Sequence, residues 1–416
     1  MLRSIIFIFL ITLMQQVLDL HIHSKYSRAC SKSLTLKNIE ATCTRKGVDI
    51  ISTGDFTHPT WLKSICNELI EINTSGLYQL RNSDTPPIKF ILGTEVSLVY
   101  KDNDKCRRLH LCIHAPNINA ALDLNNYLDL RYNIRSDGRP ILGISAPEFV
   151  KICLKIDPRF LIYPAHIWTP WFSMFGTKSG FQTLEECFHD QSKYIYAYET
   201  GLSSDPEMNW RVSQLDNLTL LSSSDAHSLE SIAREATIFD LENITYTEIY
   251  DAIKNKNLKK IKSTIEFYPE EGMYHISGHK KCKFSCSTIT AKKLNNTCPV
   301  CNKTLTLGVD FRVDEIADRA PGIRPINSYG FKKIVELDKI IAQALNIKNR
   351  KSKKVAIEYN NLISKFGNEL NVLLNIPITE IKKNTLPSIS KRIKKMRDGE
   401  IHIQPGFDGE YGVINI

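Results

Sequence analysis

The sequence lacks the features that would place it in several common classes. It has no internal repeat, so a repeat architecture is not expected. Its 11 cysteines are an odd number, and seven of them stand alone in the first half of the chain. These seven are Cys30, Cys43, Cys66, Cys106, Cys112, Cys153 and Cys187. Such scatter argues against the disulfide framework of a small secreted domain, so we expect a cytoplasmic protein in a reducing compartment.

Long apolar runs are also missing, except at the N-terminus. The segment MLRSIIFIFLITLMQQV contains an apolar run from Ile5 to Met14. It has no small-x-small cleavage site and is shorter than the ~20 residues that span a bilayer. A signal segment and a short anchor stay open, but we favour translation from Met14, with residues 1–13 as an upstream extension. We expect no membrane partner.

Positive charge is concentrated near the C-terminus. The formal net charge is +9, and residues 321–416 hold 17 Lys and Arg against 9 Asp and Glu. Lysine clusters suit a polyanion, because phosphates that they neutralise release condensed counterions. The candidate DNA-contacting residues are Lys353, Lys354, Lys394 and Lys395. The alternative is a solvated lysine-rich face.

The length of 416 residues allows two or three domains. Up to about residue 262, β-rich apolar runs such as VDIISTGD and RFLIYPAH alternate with segments of helical pattern. This alternation indicates a parallel α/β architecture, either a barrel or a doubly wound sheet. We expect a catalytic domain over 14–262, a cysteine-rich module over 263–320, and a basic helical domain over 321–416 whose first helix includes FKKIVELDKIIAQALNI.

Histidines and carboxylates follow the strands of the predicted catalytic domain. In DLHIHS, the two histidines are at positions i and i+2, which share one face of a strand. Similar residues end other apolar runs, as in STGDFTHP, LGTEVS, YPAHIW and SSSDAH. The nine candidates are His21, His23, Asp55, His58, Glu95, His110, His166, Asp225 and His227. Imidazole and carboxylate ligands suit Zn²⁺, Mn²⁺ or Fe²⁺, and nine ligands imply two or three ions.

These motifs together resemble the PHP (polymerase and histidinol phosphatase) family, whose fold is a distorted (β/α)7 barrel with a trinuclear metal site. Most members have an adjacent Asp-His pair in the second motif, whereas here Phe56 follows Asp55 and the histidine comes at position 58. That variant, together with HIWTPWFSMFGTKSGF, YETGLSSDPEMNWR and YHISGHKKC, is similar to the endonuclease Q group. The likeness extends from about Val17 over nearly the whole chain.

The resemblance implies a DNA-repair endonuclease that cuts on the 5′ side of deaminated bases (uracil, hypoxanthine, xanthine) or abasic sites. It implies that all nine candidates bind metal, with Asp225, His227 and Glu95 catalytic. The expected cofactors are two or three divalent ions in the barrel, Zn²⁺ and/or Mn²⁺ or Mg²⁺. Expected partners are damaged DNA and other repair or replication proteins, and we expect a monomer. The alternatives are a PHP-type small-molecule phosphatase and a noncatalytic nucleic-acid-binding protein.

The cysteine-rich module carries a zinc-knuckle pattern. CPVC provides Cys298 and Cys301, and a C-x2-C spacing lets two thiolates bind one ion. The first half of the site is ambiguous, because His279, Cys282 and Cys286 compete for two positions. The resemblance favours His279 with Cys282, leaving Cys286 as a substitute. Such a closed site would hold one structural Zn²⁺ and supply folding energy to a small module.

Two further features have both a structural and a functional interpretation. The loop from Trp168 to Phe181 could present aromatic surfaces and glycine hinges beside His166, or it could simply pack against the barrel. His114 lies four residues beyond His110 on an apolar run and is predicted to be a core histidine.

Overall fold

The computed structural model of the protein describes residues 15–83 and 87–416. The strands are Gln15–Asp19 (β1), Ile50–Ser52 (β2), Leu69–Glu71 (β3), Leu77–Leu80 (β4), Lys89–Ile91 (β5), Gly93–Asp102 (β6), Lys105–His114 (β7), Ile141–Leu142 (β8), Leu161–Pro164 (β9), Ala197–Glu199 (β10), Thr219–Leu221 (β11), Ala236–Asp240 (β12), Ile261–Glu266 (β13), Ser277–His279 (β14), Phe284–Cys286 (β15), Gly330–Lys333 (β16), His402–Gln404 (β17) and Val413–Asn415 (β18).

The α-helices begin and end as follows. They are Leu36–Lys46 (α1), Pro59–Glu68 (α2), Ile118–Asp129 (α3), Ala146–Ile156 (α4), Leu184–Phe188 (α5), Pro206–Asn209 (α6), Tyr246–Lys254 (α7), Thr288–Lys293 (α8), Val309–Ile316 (α9), Leu337–Ala344 (α10), Lys353–Phe366 (α11), Ile378–Asn384 (α12) and Pro387–Asp398 (α13). Thr35 caps α1 at its start, and Gly47, with a φ of 93°, ends it in a left-handed conformation.

The sheets mix parallel and antiparallel pairs, which corrects the expectation of a parallel architecture. The largest has the order β16-β13-β12-β1-β2-β5-β4-β3, and a second has the order β8-β6-β7-β9. Strand β1 is parallel to β2 and antiparallel to β12, and β6 and β7 form a long antiparallel hairpin. Asn103 and Asp104, with φ of 46° and 60°, form the two-residue turn of this hairpin. Such a turn joins strands directly, without a crossover helix.

The ends of several strands converge on one region. The two-stranded sheet β10-β11 lies beside the others: the Ile167 amide donates to the Glu199 carbonyl (3.1 Å), and Ile22 forms a parallel bridge with Ala226. The segments that follow β1, β9 and β11 therefore meet. Mixed α/β architecture is confirmed, and this meeting point is where the predicted metal-binding motifs lie.

One sheet contains strands from both the predicted catalytic domain and the predicted C-terminal domain. Strand β16 pairs in parallel with β13, and the predicted boundary at residue 262 falls inside β13. The prediction that a helix spans residues 331–347 is wrong at its start, because residues up to Lys333 extend the sheet and α10 begins at Leu337. The predicted extension, 1–13, lies outside the described residues. Within them, no helix is long and apolar enough to cross a membrane.

Candidate metal centres

The two histidines after β1 are held by carboxylates. His21 Nδ1 lies 3.0 Å from Glu199 Oε2, and His23 Nδ1 lies 3.0 Å from Asp55 Oδ1. Both imidazoles and both carboxylates are buried. A carboxylate at Nδ1 keeps the proton there and leaves the Nε2 lone pair free, as in the outer shell of metal sites. Both Nε2 atoms are therefore directed away from these carboxylates and can serve as metal ligands.

Glu95 and Asp225 face these free nitrogens. His23 Nε2 lies 3.1 Å from Asp225 Oδ1 and 3.3 Å from Glu95 Oε2. His21 Nε2 is 3.6 Å from an oxygen of each carboxylate, and this buried nitrogen has no hydrogen-bond partner. Nitrogen lone pairs and carboxylates that face one another in a buried site need a positive charge between them, either a proton or a metal ion. The donor set therefore fits a divalent ion held by these four side chains, whose ligand atoms all lie within 4.8 Å of one another.

A second group shares Glu95. Its Oε1 lies 2.7 Å from His110 Nδ1 and 3.1 Å from His166 Nε2, and the two imidazoles are 3.2 Å apart. Burial lowers the pKa of His110 to about 4, against the attraction of Glu95, so the imidazole is neutral at pH 7. Burial would raise the pKa of Glu95, but His110, Arg139 and His21 hold it well below its usual range. A neutral His110 beside an ionised Glu95 is the state in which both side chains can bind metal.

Three residues of this region have left-handed backbone conformations. Asp55, His166 and Asp225 have φ of 49°, 29° and 46°. Non-glycine residues rarely adopt such angles, and each costs about 1–3 kcal/mol and persists only where the surrounding structure enforces it. All three follow a strand and turn a side chain toward Glu95 or His23. The fold thus accepts backbone strain where the two groups meet.

The cysteine-rich module brings together the four predicted ligands. Atoms of His279, Cys282, Cys298 and Cys301 lie within 4.8 Å of one another, and Cys301 Sγ is 3.4 Å from His279 Nδ1. Burial opposes ionisation of Cys298, yet the amides of Val300 and Cys301 bring its pKa down to about 7, which favours a thiolate ligand.

The substitute ligand, Cys286, lies on β15 outside that group. A small separate core supports the module, formed by the buried residues Ala291, Cys298, Leu305 and Phe311. A thiolate-imidazole set on so small a core fits a structural zinc ion.

The chain matches one family model and is similar to two uncharacterised proteins. A family model described as the MJ0043 C-terminal domain matches residues 336–400. The uncharacterised protein YqxK of Bacillus subtilis is 28% identical over 414 residues, covering 95% of this chain and 98% of YqxK. The uncharacterised protein MJ0043 of Methanocaldococcus jannaschii is 32% identical over 257 residues, which cover 59% of this chain but only 31% of MJ0043.

Two solved structures are similar over almost the full length. The lesion-specific endonuclease PfuEndoQ of Pyrococcus furiosus superposes with a TM-score of 0.85 at 30% identity, covering 97% of this chain and 96% of that one. An endonuclease Q in complex with a 27-mer duplex carrying an abasic lesion at its active site has a TM-score of 0.84, 31% identity and coverage of 97% of both chains. The chain belongs to the endonuclease Q family.

The two buried groups contain six of the nine metal ligands that the sequence predicts. They are His21, His23, Glu95, His110, His166 and Asp225. Asp55 lies behind His23 as its hydrogen-bond partner. His227 lies at the rim, with its ring centroid 4.5 Å from that of His23 and its Nδ1 2.9 Å from the Asp225 carbonyl oxygen. His58 lies outside both groups. The ligand roles of all nine residues stay predictions, and the structure brings the first six together.

Sequence reasoning missed two charged residues of the region. Glu199 ends β10, and besides His21 it accepts from the His166 amide (2.9 Å). Its position after the apolar run YIYAYE is the signal that could have identified it. Arg139 Nη1 donates to Glu95 Oε2 (3.0 Å). Nothing in the local sequence indicates this contact, because Arg139 comes from a loop between α3 and β8.

The aromatic loop divides between core and surface. Trp168 is buried and donates to Asn209, whereas the Phe172 ring lies 4.9 Å from that of His110. Trp171 is exposed and contacts Tyr274, at the edge of the cysteine-rich module, with ring centroids 5.2 Å apart. Phe172 therefore lies against one of the buried groups, and Trp171 lies on the surface beside the cysteine-rich module. His114 is buried against Tyr163, which confirms it as a core histidine.

The four candidate DNA-contacting lysines differ in their surroundings. Lys353 and Lys354 are exposed at the start of α11, next to Lys351, which forms an ion pair with Glu230 shortly after His227. On α13, Lys394 forms an ion pair with Asp398. The ion pair of Lys351 thus places the start of α11 beside the segment that follows His227.

Proposed function

We propose that this protein is a metal-dependent DNA endonuclease that hydrolyses the phosphodiester on the 5′ side of deaminated bases or abasic sites in DNA repair. The observation that carries the proposal is the buried arrangement of His21, His23, Glu95 and Asp225, in which an unpartnered imidazole nitrogen faces two carboxylates. Its likeness to a lesion-specific endonuclease over 97% of the chain supports DNA as the substrate. Deaminated bases and abasic sites are the proposed lesions.

Two ions fit the side chains. His21, His23, Glu95 and Asp225 would hold one, and Glu95, His110 and His166 would hold the other, with Glu95 shared. Divalent ions in such a site supply a nucleophile at neutral pH and neutralise charge on a phosphoryl group. The choice among Zn²⁺, Mn²⁺ and Mg²⁺, and a third ion near Asp55 and His227, are part of the proposal. We further propose that the surrounding strands form the distorted (β/α)7 PHP barrel.

The chain's own residues prepare this site. Glu199 and Asp55 hold the Nδ1 protons of His21 and His23, which fixes both rings with Nε2 inward. Asp225 is turned inward by its strained backbone. Because these groups are buried and oriented before substrate arrives, little reorganisation accompanies the reaction. The cysteine-rich module and the α11 lysines would hold the duplex beside the buried groups.

A cleavage assay with matched lesions tests the proposal. Labelled duplexes that carry one uracil, hypoxanthine or abasic site, and an intact duplex, are incubated with purified protein before and after chelation and after Mn²⁺ or Zn²⁺ is restored. We expect cuts on the 5′ side of the lesion only, loss on chelation and recovery with metal. Hydrolysis of small phosphomonoesters without cleavage of any duplex would instead identify a phosphatase, and binding without hydrolysis a noncatalytic protein.

A further inference from the structure

The loop between α3 and β8 passes directly over the metal-binding region. At Gly138, a Cβ atom would lie 2.3 Å from Asp55 Oδ2 and 2.4 Å from Ser27 Oγ. The Gly138 amide donates to the Tyr26 carbonyl (3.1 Å). Only a residue without a side chain allows this approach. The loop is therefore built against the site.

His58 fastens the same loop. Its Nε2 lies 3.1 Å from the Arg135 carbonyl oxygen and donates to it, while Nδ1 accepts from the Trp61 amide (3.4 Å). Its ring is stacked on that of Tyr26, with centroids 4.4 Å apart. Both ring nitrogens are thus engaged by backbone groups, one in capping α2 and one in holding the loop. Neither is free to bind metal.

The loop delivers one cation to the site. Arg139 is fixed by its amide, which donates to Asp137 Oδ1 (3.0 Å), and its Nη1 donates to Glu95 Oε2 (3.0 Å). Among the described residues, Glu95 is the only side chain to which this guanidinium donates, and 24% of the Arg139 side chain is exposed. A guanidinium has five N–H donors in a planar fork that matches phosphate oxygens. Most of its N–H donors are therefore not used by protein side chains and remain available to a ligand.

We propose that Arg139 binds a non-bridging oxygen of the scissile phosphate, and that His58 is not a metal ligand but a positioning residue for the loop that carries Arg139. An anion bound next to Glu95 would lie beside this guanidinium, whose positive charge offsets the negative charge of the carboxylates. The inference rests on the proposed phosphodiester hydrolysis. It also explains why the histidine stands three residues after Asp55: there it caps α2 and reaches the loop.

Phosphate binding tests the role of Arg139 without DNA. Inorganic phosphate is titrated calorimetrically into the manganese-loaded full-length chain and into Arg139→Gln, Arg139→Lys and Arg131→Gln. Arg131 is a matched control, because its guanidinium donates to the Tyr127 carbonyl (3.0 Å) at the end of α3. We expect phosphate affinity to fall about 10-fold or more in Arg139→Gln, to recover partly in Arg139→Lys, and to be unchanged in Arg131→Gln, with equal metal content throughout. Unchanged affinity in Arg139→Gln, or a loss of metal that accounts for the lower affinity, would overturn the proposal.

His58→Asn separates positioning from ligation. Asparagine can still cap α2, but its side chain is too short to reach the Arg135 carbonyl. We expect full metal content by elemental analysis, an unchanged unfolding temperature and phosphate affinity lowered in the same direction as in Arg139→Gln. A drop in metal content would show that His58 is a ligand and would contradict the assignment, and unchanged phosphate affinity would contradict the positioning role.

A failure of the Arg139 proposal can be told apart from a failure of the proposed nuclease function. Phosphate affinity and metal content are measured without a DNA substrate, so Arg139 dependence can be established even if no duplex is cut. In DNA cleavage, we expect Arg139→Gln to lower kcat more than it raises KM, because distant phosphates still hold the duplex. An effect on KM alone would exclude contact with the scissile phosphate.

Discussion

The two candidate metal centres differ in how the chain builds them. The ligands of the buried groups come from positions between His21 and Asp225, whereas those of the cysteine-rich module all lie between His279 and Cys301. The first set has buried carboxylates behind its imidazoles. The second rests on a core of four buried residues.

The difference indicates that the fold positions the ligands of the buried groups, whereas in the cysteine-rich module the bound ion stabilises the fold. The buried groups lie within the large hydrophobic core, so we expect the fold around them to persist without metal, as suits a reaction site. The module has a core of only four buried residues, so we expect its fold to depend on a bound ion. Loss of metal should therefore have opposite consequences at the two places: lost activity with retained fold at the first, and local unfolding at the second.

The largest expected effect concerns the module. Cys298→Ser should remove its zinc and unfold residues 277–307, because structural zinc contributes about 10 kcal/mol or more to such modules. Cys286→Ser is the control and should keep the zinc, since Cys286 lies outside the ligand group. Zinc content and limited proteolysis report both. Equal zinc loss in the two variants would mean that the ligand set is misassigned.

Glu199→Gln should weaken the buried centre without unfolding it. Loss of the charge behind His21 is expected to lower metal affinity about 10- to 100-fold, while zinc in the cysteine-rich module is unchanged. Competition with a chelator measures both affinities. Glu185→Gln, an exposed change on α5, serves as control, and an equal effect there would argue against an outer-shell role for Glu199.

The lysine pairs should differ in their effect on DNA affinity. Lys353→Glu with Lys354→Glu should weaken binding of damaged and intact duplexes alike and reduce the salt slope by about one unit for each phosphate that is no longer neutralised. Lys394→Glu with Lys395→Glu should have a smaller effect, because Lys394 already pairs with Asp398. Binding isotherms at several salt concentrations give the slopes. A larger effect from the α13 pair would move the DNA path to that face.

The smallest expected effect is on stability near the buried centre. Glu266 accepts from Ser222 Oγ (2.5 Å), and burial raises its pKa to about 8. A folded pKa above the unfolded value means that its contribution to stability is lost as pH rises from about 4.5 through 8.

Glu266→Gln should therefore become more stable relative to the parent at pH 8.5 than at pH 5, by about 1–3 kcal/mol. Thermal unfolding at the two pH values measures this, with the exposed Glu400→Gln as a control that should show no such trend. A pH-independent difference for Glu266→Gln would show that Glu266 is ionised in the folded protein.

Features that depend on a short stretch of sequence could be predicted, whereas contacts between residues far apart in the chain could not. Strand-end motifs and the C-x2-C pair are local, so the sequence could indicate the six residues that the structure brings together in the buried groups and the four that it brings together in the module. His58 followed by Pro59 carries a local signal for a helix N-terminus, since proline favours the first helical position, and the structure places it as the cap of α2. The contacts of Glu199 and Arg139 join residues 178 and 44 positions apart in the chain. Such contacts depend on the whole fold, so the strand-end position of Glu199 could indicate a site residue but not its partner, and no local pattern indicates the contact of Arg139.

The most direct test of the central claim is cleavage by the parent and by Asp225→Asn of a 5′-labelled duplex with a single hypoxanthine, with binding measured in parallel. Asparagine removes the charge that faces His21 and His23 but keeps the size of the side chain. We predict one product that ends on the 5′ side of the hypoxanthine for the parent, a rate lower by at least about 100-fold for Asp225→Asn, and similar duplex affinity for both. An unchanged rate in Asp225→Asn, or equal cutting of an intact duplex by the parent, would contradict a lesion-directed nuclease centre built on these buried ligands.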